Sequence, residues 1–488
     1  MPYHTVPPSP VMRRAADNTA PAADGRTNVP RLHPPTTAIT RLIAHFCFWK
    51  LLLVLVAAAS PGPGYDTSTQ LLLRRDTTAA GSWLEHVSVR LTRWDGLYFA
   101  SASAHGQMFE QQWAFSPVLA RLTSSGAGVF SATAHLPSIA AHALAAIFFS
   151  HLSHLIAVIL LFRLAYSIVP SGHESKARVA YTAACLHIIS PAGLFLSAPY
   201  GEAAFAMVHF AGLLCYVEAK QRESSAPFVS ALWTLASGLV IGFSAMIRSN
   251  GLFSGLLFLW DALAVLPQIT QMLHQREWIR LHNFLGTLGA GLFVGGGYAL
   301  PQAFAYVEYC TNGNDRPWCH RTVPSIYSFV QSHYWGVGLF KYWTLSNAPL
   351  FALAIPMLAV LVSTGYAALR EGELDSFITP ATTAQDDHVP SPDGHRSRHM
   401  MSRFALPQLL LAVLALTSFH VQIINRISSG YPVWYIMLAS IIQESNGIVA
   451  VHGSTARLVR RHARSLVRLS VMYAIVQGGL FASFMPPA

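Results

Sequence analysis

Long apolar segments alternate with short polar ones along most of the chain. Eleven of these segments approach the roughly 20 residues that an α-helix needs to cross a bilayer. Lipid offers the backbone no hydrogen-bond partners, so each segment is predicted to be a helix rather than a strand. The pattern indicates an all-α, polytopic membrane protein of about eleven transmembrane helices. The predicted spans are 38–60, 137–161, 177–198, 202–217, 227–247, 251–266, 283–305, 347–369, 404–424, 431–449 and 469–484.

The amino-acid composition supports the membrane class. Of the 488 residues, 52% are hydrophobic and 11% are charged, whereas soluble domains carry about 25% charged residues. The net charge of +10 does not indicate nucleic-acid binding, because the basic residues lie between apolar segments instead of on one continuous face. Basic residues beside membrane spans instead report orientation, since Lys and Arg are enriched in cytosolic loops.

The distribution of basic residues predicts the orientation of the chain. With a cytosolic N-terminus, alternation through the spans puts 21 Lys and Arg residues on the cytosolic side and 10 on the other side, as the positive-inside rule requires. Residues 1–37 are predicted to form a disordered cytosolic tail before a membrane domain, 38–488. Two long loops, 61–136 and 306–346, fall on the non-cytosolic side, and loop 371–403 has the composition of a flexible cytosolic linker.

Two of the five cysteines share loop 306–346. Cys310 and Cys319 lie on either side of a short, turn-rich segment, and an oxidising lumen would permit a disulfide between them. The alternatives are two free thiols or half of a zinc site. A disulfide is favoured, because no His/Cys pair at ligand spacing lies nearby to complete a zinc site.

The densest group of chemically active side chains lies in loop 61–136 and includes Arg93, Trp94, Asp95 and Glu110. Aromatic neighbours raise the pKa of a carboxyl group and an arginine lowers it, so Asp95 can be tuned as a general base. The apolar positions between Asp95 and Glu110 suit an interfacial amphipathic helix, which would hold Asp95 at headgroup depth. The alternative is a surface loop whose aromatic residues belong to the interfacial belt.

Polar residues at the non-cytosolic ends of other spans are expected at the same depth. Arginine binds phosphate through its forked donors, so Arg248 and Arg426 are candidates for holding a lipid-linked phosphate. The alternative is that both side chains reach from helix ends to ordinary lipid headgroups. The polar residues singled out at these ends are Tyr200, Glu202, Arg248, Asn250, Asn425 and Arg426, beside Ser197, Ser249 and Tyr431.

Other titratable residues lie within predicted spans and indicate different roles. His151 and His154 lie in a predicted span without a nearby carboxylate, which favours packing or hydrogen bonding over a metal site. Asp261 and Glu444 near the cytosolic halves of spans would suit a transporter. The chain has no P-loop, dinucleotide fingerprint or Gly-x-Ser-x-Gly motif, so a nucleotide-sugar donor is not expected.

Several motifs keep a fixed order between residue 39 and the C-terminus. They are Arg93-Trp94-Asp95-Gly96-Leu97-Tyr98-Phe99, Glu110-Gln111-Gln112-Trp113-Ala114-Phe115-Ser116-Pro117, the segments 190–202 and 422–432, Arg248-Ser249-Asn250-Gly251, Tyr334-Trp335-Gly336-Val337-Gly338, and Tyr342-Trp343. Together these motifs resemble the GPI mannosyltransferase 2 family. The resemblance implies an endoplasmic-reticulum enzyme of the GT-C architecture, with a large first luminal loop. Such an enzyme would move mannose from dolichyl-phosphate-mannose to a GPI-anchor precursor, adding the second mannose in α-1,6 linkage with inversion.

The resemblance also implies roles for residues of this chain. Asp95 would be the luminal general base, Trp94 would position it, and Glu110 would assist or orient the acceptor. Arg248 and Arg426 are a choice made on physical grounds for the donor phosphate. No metal or cofactor is expected, whereas the donor, the GPI lipid precursor and the membrane are expected partners, and a small accessory membrane subunit is compatible with the family. The further substrate contacts expected are Arg93, Tyr200, Glu202, Asn250 and Asn425.

The sequence departs from the family pattern in two places. Gln111 and Gln112 stand where a further acidic residue is expected, which places more weight on Glu110. The segment 371–403 looks like an insertion peculiar to this chain. Three other interpretations stay open at this point: another GT-C glycosyltransferase using the same donor, a polytopic transporter, and a non-catalytic subunit.

Overall fold

A computed structural model gives the fold of residues 35–485, apart from 63–65, 74–82, 135–137, 170–172, 312–315, 378–391 and 446–455. All regular secondary structure in these described residues is α-helix or 3₁₀-helix. The predicted all-α class is therefore confirmed. Residues 1–34 of the predicted tail lie outside the described residues. So does the middle of the predicted linker 371–403.

Eighteen α-helices form the described fold. The first nine are α1 (Pro35–Ala59), α2 (Ser68–Leu73), α3 (Trp83–Leu91), α4 (Asp95–His105), α5 (Pro117–Ala134), α6 (Ser138–Ile168), α7 (His173–Ile188), α8 (Glu202–Arg222) and α9 (Pro227–Ile247). The others are α10 (Gly255–Val265), α11 (Ile269–His274), α12 (Trp278–Cys310), α13 (Ile326–His333), α14 (Ala348–Phe377), α15 (Pro392–Thr417), α16 (Ile424–Ile427), α17 (Val433–Ser445) and α18 (Ala456–Ala482). Short 3₁₀-helices lie between them at Glu110–Ala114, Gly193–Leu196, Ser249–Ser254, Leu266–Gln268, Leu345–Asn347, Val421–Ile423 and Ser428–Gly430.

Nine helical segments in the described residues are long and apolar enough to cross a membrane. They coincide with nine of the eleven predicted spans, so the membrane class is confirmed and the count of eleven is not. The prediction 177–198 falls on α7, which ends at Ile188 because Pro191 follows closely and cannot continue a helical hydrogen-bond ladder. The prediction 431–449 falls on α17, whose 13 residues reach only about 20 Å, short of a bilayer core.

The first large loop, 61–136, is mostly helical in its described part and contains α2, α3, α4 and α5. The helix predicted between Asp95 and Glu110 is shorter than expected. It ends at His105, and the next residue, Gly106, takes a φ of +77° that turns the chain away. α4 packs against α5 and α6 and buries Phe99 and Ala102, so protein contacts hold this helix and its first residue, Asp95, in place.

The side-chain nitrogen of Lys50 inside α1 is hydrogen-bonded within the protein. Its side chain is buried, and Nζ donates to the carbonyl of Leu196 at 2.9 Å and to Oγ of Ser197 at 2.7 Å. A charged group at this depth is costly unless protein partners replace water. The bonds therefore fasten α1 to the short 3₁₀ turn that precedes Tyr200 and Glu202.

Asp261 is also part of a packed ion cluster. Its carboxylate accepts hydrogen bonds from Arg403 Nε at 2.6 Å and Tyr216 Oη at 2.7 Å, and Lys220 Nζ lies 2.9 Å away. These residues join α8, α10 and α15, so Asp261 has the contacts of a residue that stabilises helix packing. The side chain of Glu444 lies outside the described residues.

The two histidines of α6 bond to backbone carbonyls, as expected for a packing or hydrogen-bonding role. His151 Nδ1 lies 2.8 Å from the carbonyl of Ile147, and His154 Nε2 lies 3.3 Å from that of His187. In the part of the chain that the structure describes, no three His, Cys, Asp or Glu side chains group as a metal site.

Glycines bring α9 and α12 into close contact. A Cβ atom on Gly238 would overlap Ala290, and one on Gly297 would overlap the backbone carbonyl of Gly242. Small residues let membrane helices approach backbone to backbone. Because α9 ends at Ile247, directly before Arg248, this contact also fixes the helix that carries Arg248.

Gly297→Ala is expected to lower the melting temperature of the detergent-purified protein. The added methyl group must push α12 away from α9, and such overpacking costs about 1–3 kcal/mol. Gly296→Ala is the matched control, because a Cβ atom there meets nothing within 4 Å and alanine favours the helix. Equal melting temperatures for the two variants would contradict a tight α9–α12 contact.

Candidate functional site

Asp95 begins α4 after an unusual backbone turn. Trp94 has a φ of +54°, a conformation that non-glycine residues rarely adopt and that is kept only where surrounding contacts enforce it. Those contacts come from the end of α18: the ring of Trp94 lies 5.0 Å from that of Phe484, and the Arg93 guanidinium lies 4.9 Å from the same ring. The turn directs the chain into α4 with Asp95 as its first residue.

The segment Pro199–Glu202 packs directly beneath this turn. A Cβ atom on Gly96 would lie 3.2 Å from Pro199 and 3.3 Å from Tyr200. Tyr200 is buried, and its hydroxyl donates to the carbonyl of Arg93 at 3.0 Å. Glu202 then begins α8. The start of α4 and the start of α8 are therefore neighbours, which brings the two carboxylates into one site.

Arg426 links the two carboxylates. It lies on the single turn of α16, and its Nε is 2.9 Å from Oε1 of Glu202. Its Nη1 and Nη2 each donate to Oδ2 of Asp95 at 3.5 Å. The guanidinium also lies over the rings of Phe195 and Tyr200, at 4.9 and 5.4 Å from their centres, a favourable cation–π arrangement.

Arg248 binds the same carboxylate from another side. It follows the last residue of α9 in an extended conformation, and its Nη1 lies 2.8 Å from Oε1 of Glu202. Its Nε donates to Asn250 Oδ1 at 3.4 Å, while Asn250 Nδ2 donates to the hydroxyl of Tyr431 at 3.0 Å. One oxygen of Glu202 thus holds two guanidinium groups.

The four charged side chains differ in how far they are exposed. Glu202 has 0% of its side chain exposed, Arg248 18%, Arg426 16% and Asp95 37%. Only Asp95 is open enough to meet a substrate hydroxyl directly, and a carboxylate in that position can accept a proton. The partly open arginines can bind an anion. Glu202 lies behind them and contacts both arginines; a substrate contact for Glu202 stays a prediction.

Four other expected substrate contacts are buried as well: Arg93, Tyr200, Asn250 and Asn425. Arg93 has no exposed surface, and its Nε donates to the carbonyl of Ala482 at 3.3 Å. Asn425 is 5% exposed, and its Nδ2 donates to the carbonyl of Leu353 at 3.4 Å. Together with the buried Tyr200, these side chains contact the backbone around Asp95 and Arg426, and the substrate contacts expected for them stay predictions.

Glu110 lies in a separate cluster between the two large loops. Its carboxylate accepts hydrogen bonds from Trp318 Nε1 at 3.1 Å and the Tyr334 hydroxyl at 3.2 Å, and Arg316 Nε is 3.6 Å away. The pKa of the Tyr334 phenol is raised, mainly by partial burial and secondly by the hydrogen bond to Glu110. The hydroxyl therefore stays protonated and donates to Glu110. The contacts of Glu110 are those of a residue that joins loop 61–136 to loop 306–346.

The second large loop is held by a disulfide between Cys310 and Cys319, whose Cα atoms are 5.7 Å apart. The bridge lies beside the fully buried Trp318, so it stabilises the segment that contacts Glu110. Trp318 and Tyr334 lie more than 200 residues along the chain from Glu110. No local pattern indicates such pairs, and sequence reasoning missed them.

Two solved structures align with most of the chain at low sequence identity. One is the Archaeoglobus fulgidus oligosaccharyltransferase tethered with an acceptor peptide, at 14% identity and a TM-score of 0.42, covering 90% of this chain and 55% of that chain. The other is ArnT from Cupriavidus metallidurans bound to undecaprenyl phosphate, at 12% identity and a TM-score of 0.43, covering 92% and 77%.

Two relatives are much more similar to this chain in sequence than these two solved structures are. A GPI mannosyltransferase 2 from Gibberella zeae is 38% identical over 453 residues, covering 92% of this chain and 98% of the relative. A protein of the same name from Aspergillus oryzae is 38% identical over 479 residues, covering 94% and 98%. Residues 39–488 match the family described as mannosyltransferase (PIG-V). Because that match spans nearly the whole chain, the protein belongs to the mannosyltransferase (PIG-V) family.

Proposed function

We propose that this protein transfers mannose from dolichyl-phosphate-mannose to a GPI-anchor precursor, adding the second mannose in α-1,6 linkage. We place the reaction on the luminal side of the endoplasmic-reticulum membrane, in a GT-C architecture. The relatives named GPI mannosyltransferase 2 support mannose transfer in GPI assembly. The observation that carries the chemistry is the position of Arg426, which contacts both the open carboxylate of Asp95 and the buried carboxylate of Glu202.

In this proposal Asp95 is the general base. It takes the proton from the acceptor hydroxyl while the hydroxyl oxygen attacks the anomeric carbon of the donor mannose. The bond from that carbon to the phosphate oxygen breaks, and its electron pair leaves with the phosphate. Attack from the opposite face converts the β-linked donor into an α-linked product.

The two arginines stabilise the leaving phosphate. Charge on the phosphate rises as its bond to mannose breaks, and fixed cations aimed at developing charge lower the barrier. Arg248 and Arg426 are held by one oxygen of Glu202 before any substrate arrives. Little reorganisation is then needed during the reaction, which is the condition under which such electrostatic stabilisation is most effective.

Transfer of labelled mannose tests the proposal. Purified protein in lipid nanodiscs is incubated with labelled dolichyl-phosphate-mannose and the one-mannose GPI intermediate. The expected product is the two-mannose glycolipid, sensitive to an α-1,6-mannosidase. Label on protein instead of glycolipid would support another glycosyltransferase with the same donor, and a failure to transfer label from this donor to the GPI intermediate would contradict the proposal.

Two single substitutions test the proposed orientation. His320→Asn creates an Asn-x-Thr acceptor in the exposed part of loop 306–346, and Glu223→Asn creates an Asn-x-Ser acceptor after α8. The native chain contains no such acceptor. We expect the first variant to be glycosylated in the endoplasmic reticulum and the second to stay unmodified, as judged by an endoglycosidase-sensitive shift on a gel. The reverse pattern would contradict the luminal site.

A further inference from the structure

Tyr98 lies on the same face of α4 as Asp95, one helical turn further along. Residues three apart on a helix are neighbours on its surface. Tyr98 is 40% exposed, whereas Gly96, Phe99 and Ala100 between and beside them are buried. Asp95 and Tyr98 therefore share an exposed face of α4, which carries the proposed catalytic carboxylate and an aromatic ring.

The ring of Tyr98 is held from behind by residues of both large loops. It stacks on Phe115, with centres 5.3 Å apart and an interplanar angle of 16°. Phe115 packs with its edge against Trp335 at 5.5 Å, and the carbonyl of Trp335 lies 2.9 Å from Nε2 of His420. The Tyr334–Gly338 motif, which the proposed mechanism leaves without a role, thus supports this stack.

Phe99 contacts both the stack and the ring over which Arg426 lies. The ring of Phe99 is 5.0 Å from Phe115 and 5.8 Å from Tyr200, and Tyr200 is the ring over which Arg426 lies. The row of aromatic rings thus runs from the arginines to Tyr98. A phosphate bound at the arginines leaves the Tyr98 end for the second substrate.

An aromatic ring that is held in place and exposes one face can bind a sugar. A hexose has one face of C–H groups and a rim of hydroxyls, so its apolar face packs on a flat ring while the rim stays free for hydrogen bonds. We propose that Tyr98, supported by Phe115 and Trp335, binds the terminal sugar of the acceptor and presents its hydroxyl to Asp95. The inference rests on the proposed function and specifies its acceptor site.

We call Tyr98 with its supporting rings Phe115 and Trp335 the platform. The kinetics of three variants in nanodiscs test it, with labelled dolichyl-phosphate-mannose and the one-mannose GPI intermediate as substrates. Tyr98→Leu removes the flat ring, Tyr98→Phe keeps it, and Phe109→Leu removes another exposed aromatic ring of the same loop, 58% exposed. We expect Tyr98→Leu to raise KM for the acceptor about tenfold without changing KM for the donor. Tyr98→Phe should recover most of the acceptor affinity that Tyr98→Leu loses, and Phe109→Leu should keep both constants near those of the unmodified protein.

The controls separate sugar binding from other roles. Equal effects of Tyr98→Leu and Phe109→Leu would overturn the platform, since both rings would then serve only the membrane interface. A fall in melting temperature with both KM values raised would also overturn it, because Tyr98 would then only support the fold. If the unmodified protein makes no mannosylated glycolipid, the proposed function fails, whereas an active protein insensitive to Tyr98→Leu rejects the platform alone.

Discussion

Replacing Asp95 with Asn is expected to lower kcat for mannose transfer by about 10³-fold, within the range that a general base contributes. Asn keeps the shape of the side chain and removes its ability to take a proton. Asp95 is 37% exposed and its contact with Arg426 is 3.5 Å long, so the fold depends little on its charge. Arg426 stays paired with Glu202. The measurement is single-turnover transfer from labelled donor at saturating acceptor.

Glu308→Gln is the control for this experiment. Glu308 is another exposed carboxylate, near the end of α12 and within the predicted loop 306–346, and its neutralisation is expected to leave kcat unchanged. Unchanged melting temperatures for both variants would show that the Asp95 effect is catalytic. If Asp95→Asn fully restored GPI-anchored proteins to a strain that lacks this chain, Asp95 would not be the base.

The long spans could be predicted because lipid leaves the backbone few choices. An apolar segment of sufficient length must form a helix, and nine of the eleven predicted segments coincide with helical segments long enough to cross a membrane. The prediction failed at 177–198 because an apolar composition continues through Pro191 and Gly193 while the helix cannot. Gly193 takes a φ of +47°, and the chain turns into the segment that carries Tyr200 and Glu202.

The core of the candidate site was also within reach of the sequence. Arg248, Glu202 and Arg426 follow or begin apolar segments at ends predicted to share one depth, and the structure brings them together with Asp95. Hydropathy predicts the depth of a residue in the membrane, but it does not predict the direction in which the side chain points. Whether a side chain at that depth is open, as Asp95 is, or buried, as Arg93 is, depends on packing against distant helices such as α18.

Removing the carboxylate of Glu202 is expected to have the second large effect. Glu202→Ala would leave Arg248 and Arg426 side by side without the oxygen that both contact, at 2.8 and 2.9 Å. Breaking a buried ion pair by deleting one partner costs about 3–5 kcal/mol. We expect a marked fall in melting temperature in detergent and a rise in KM for the lipid-linked donor, since the two arginines would no longer be held in place.

Glu218→Ala on the same helix is the matched control. Glu218 pairs with Arg222 one turn away, and both side chains are more than a third exposed, so the pair contributes about 0–1 kcal/mol. Its loss should leave the melting temperature and donor KM nearly unchanged.

Glu202→Gln then separates charge from packing, because it fills the same space with one carbonyl acceptor. If donor affinity falls in Glu202→Gln while the melting temperature largely recovers, the carboxylate is what fixes the two arginines for the phosphate. Equal behaviour of Glu202→Ala and Glu218→Ala would contradict that role.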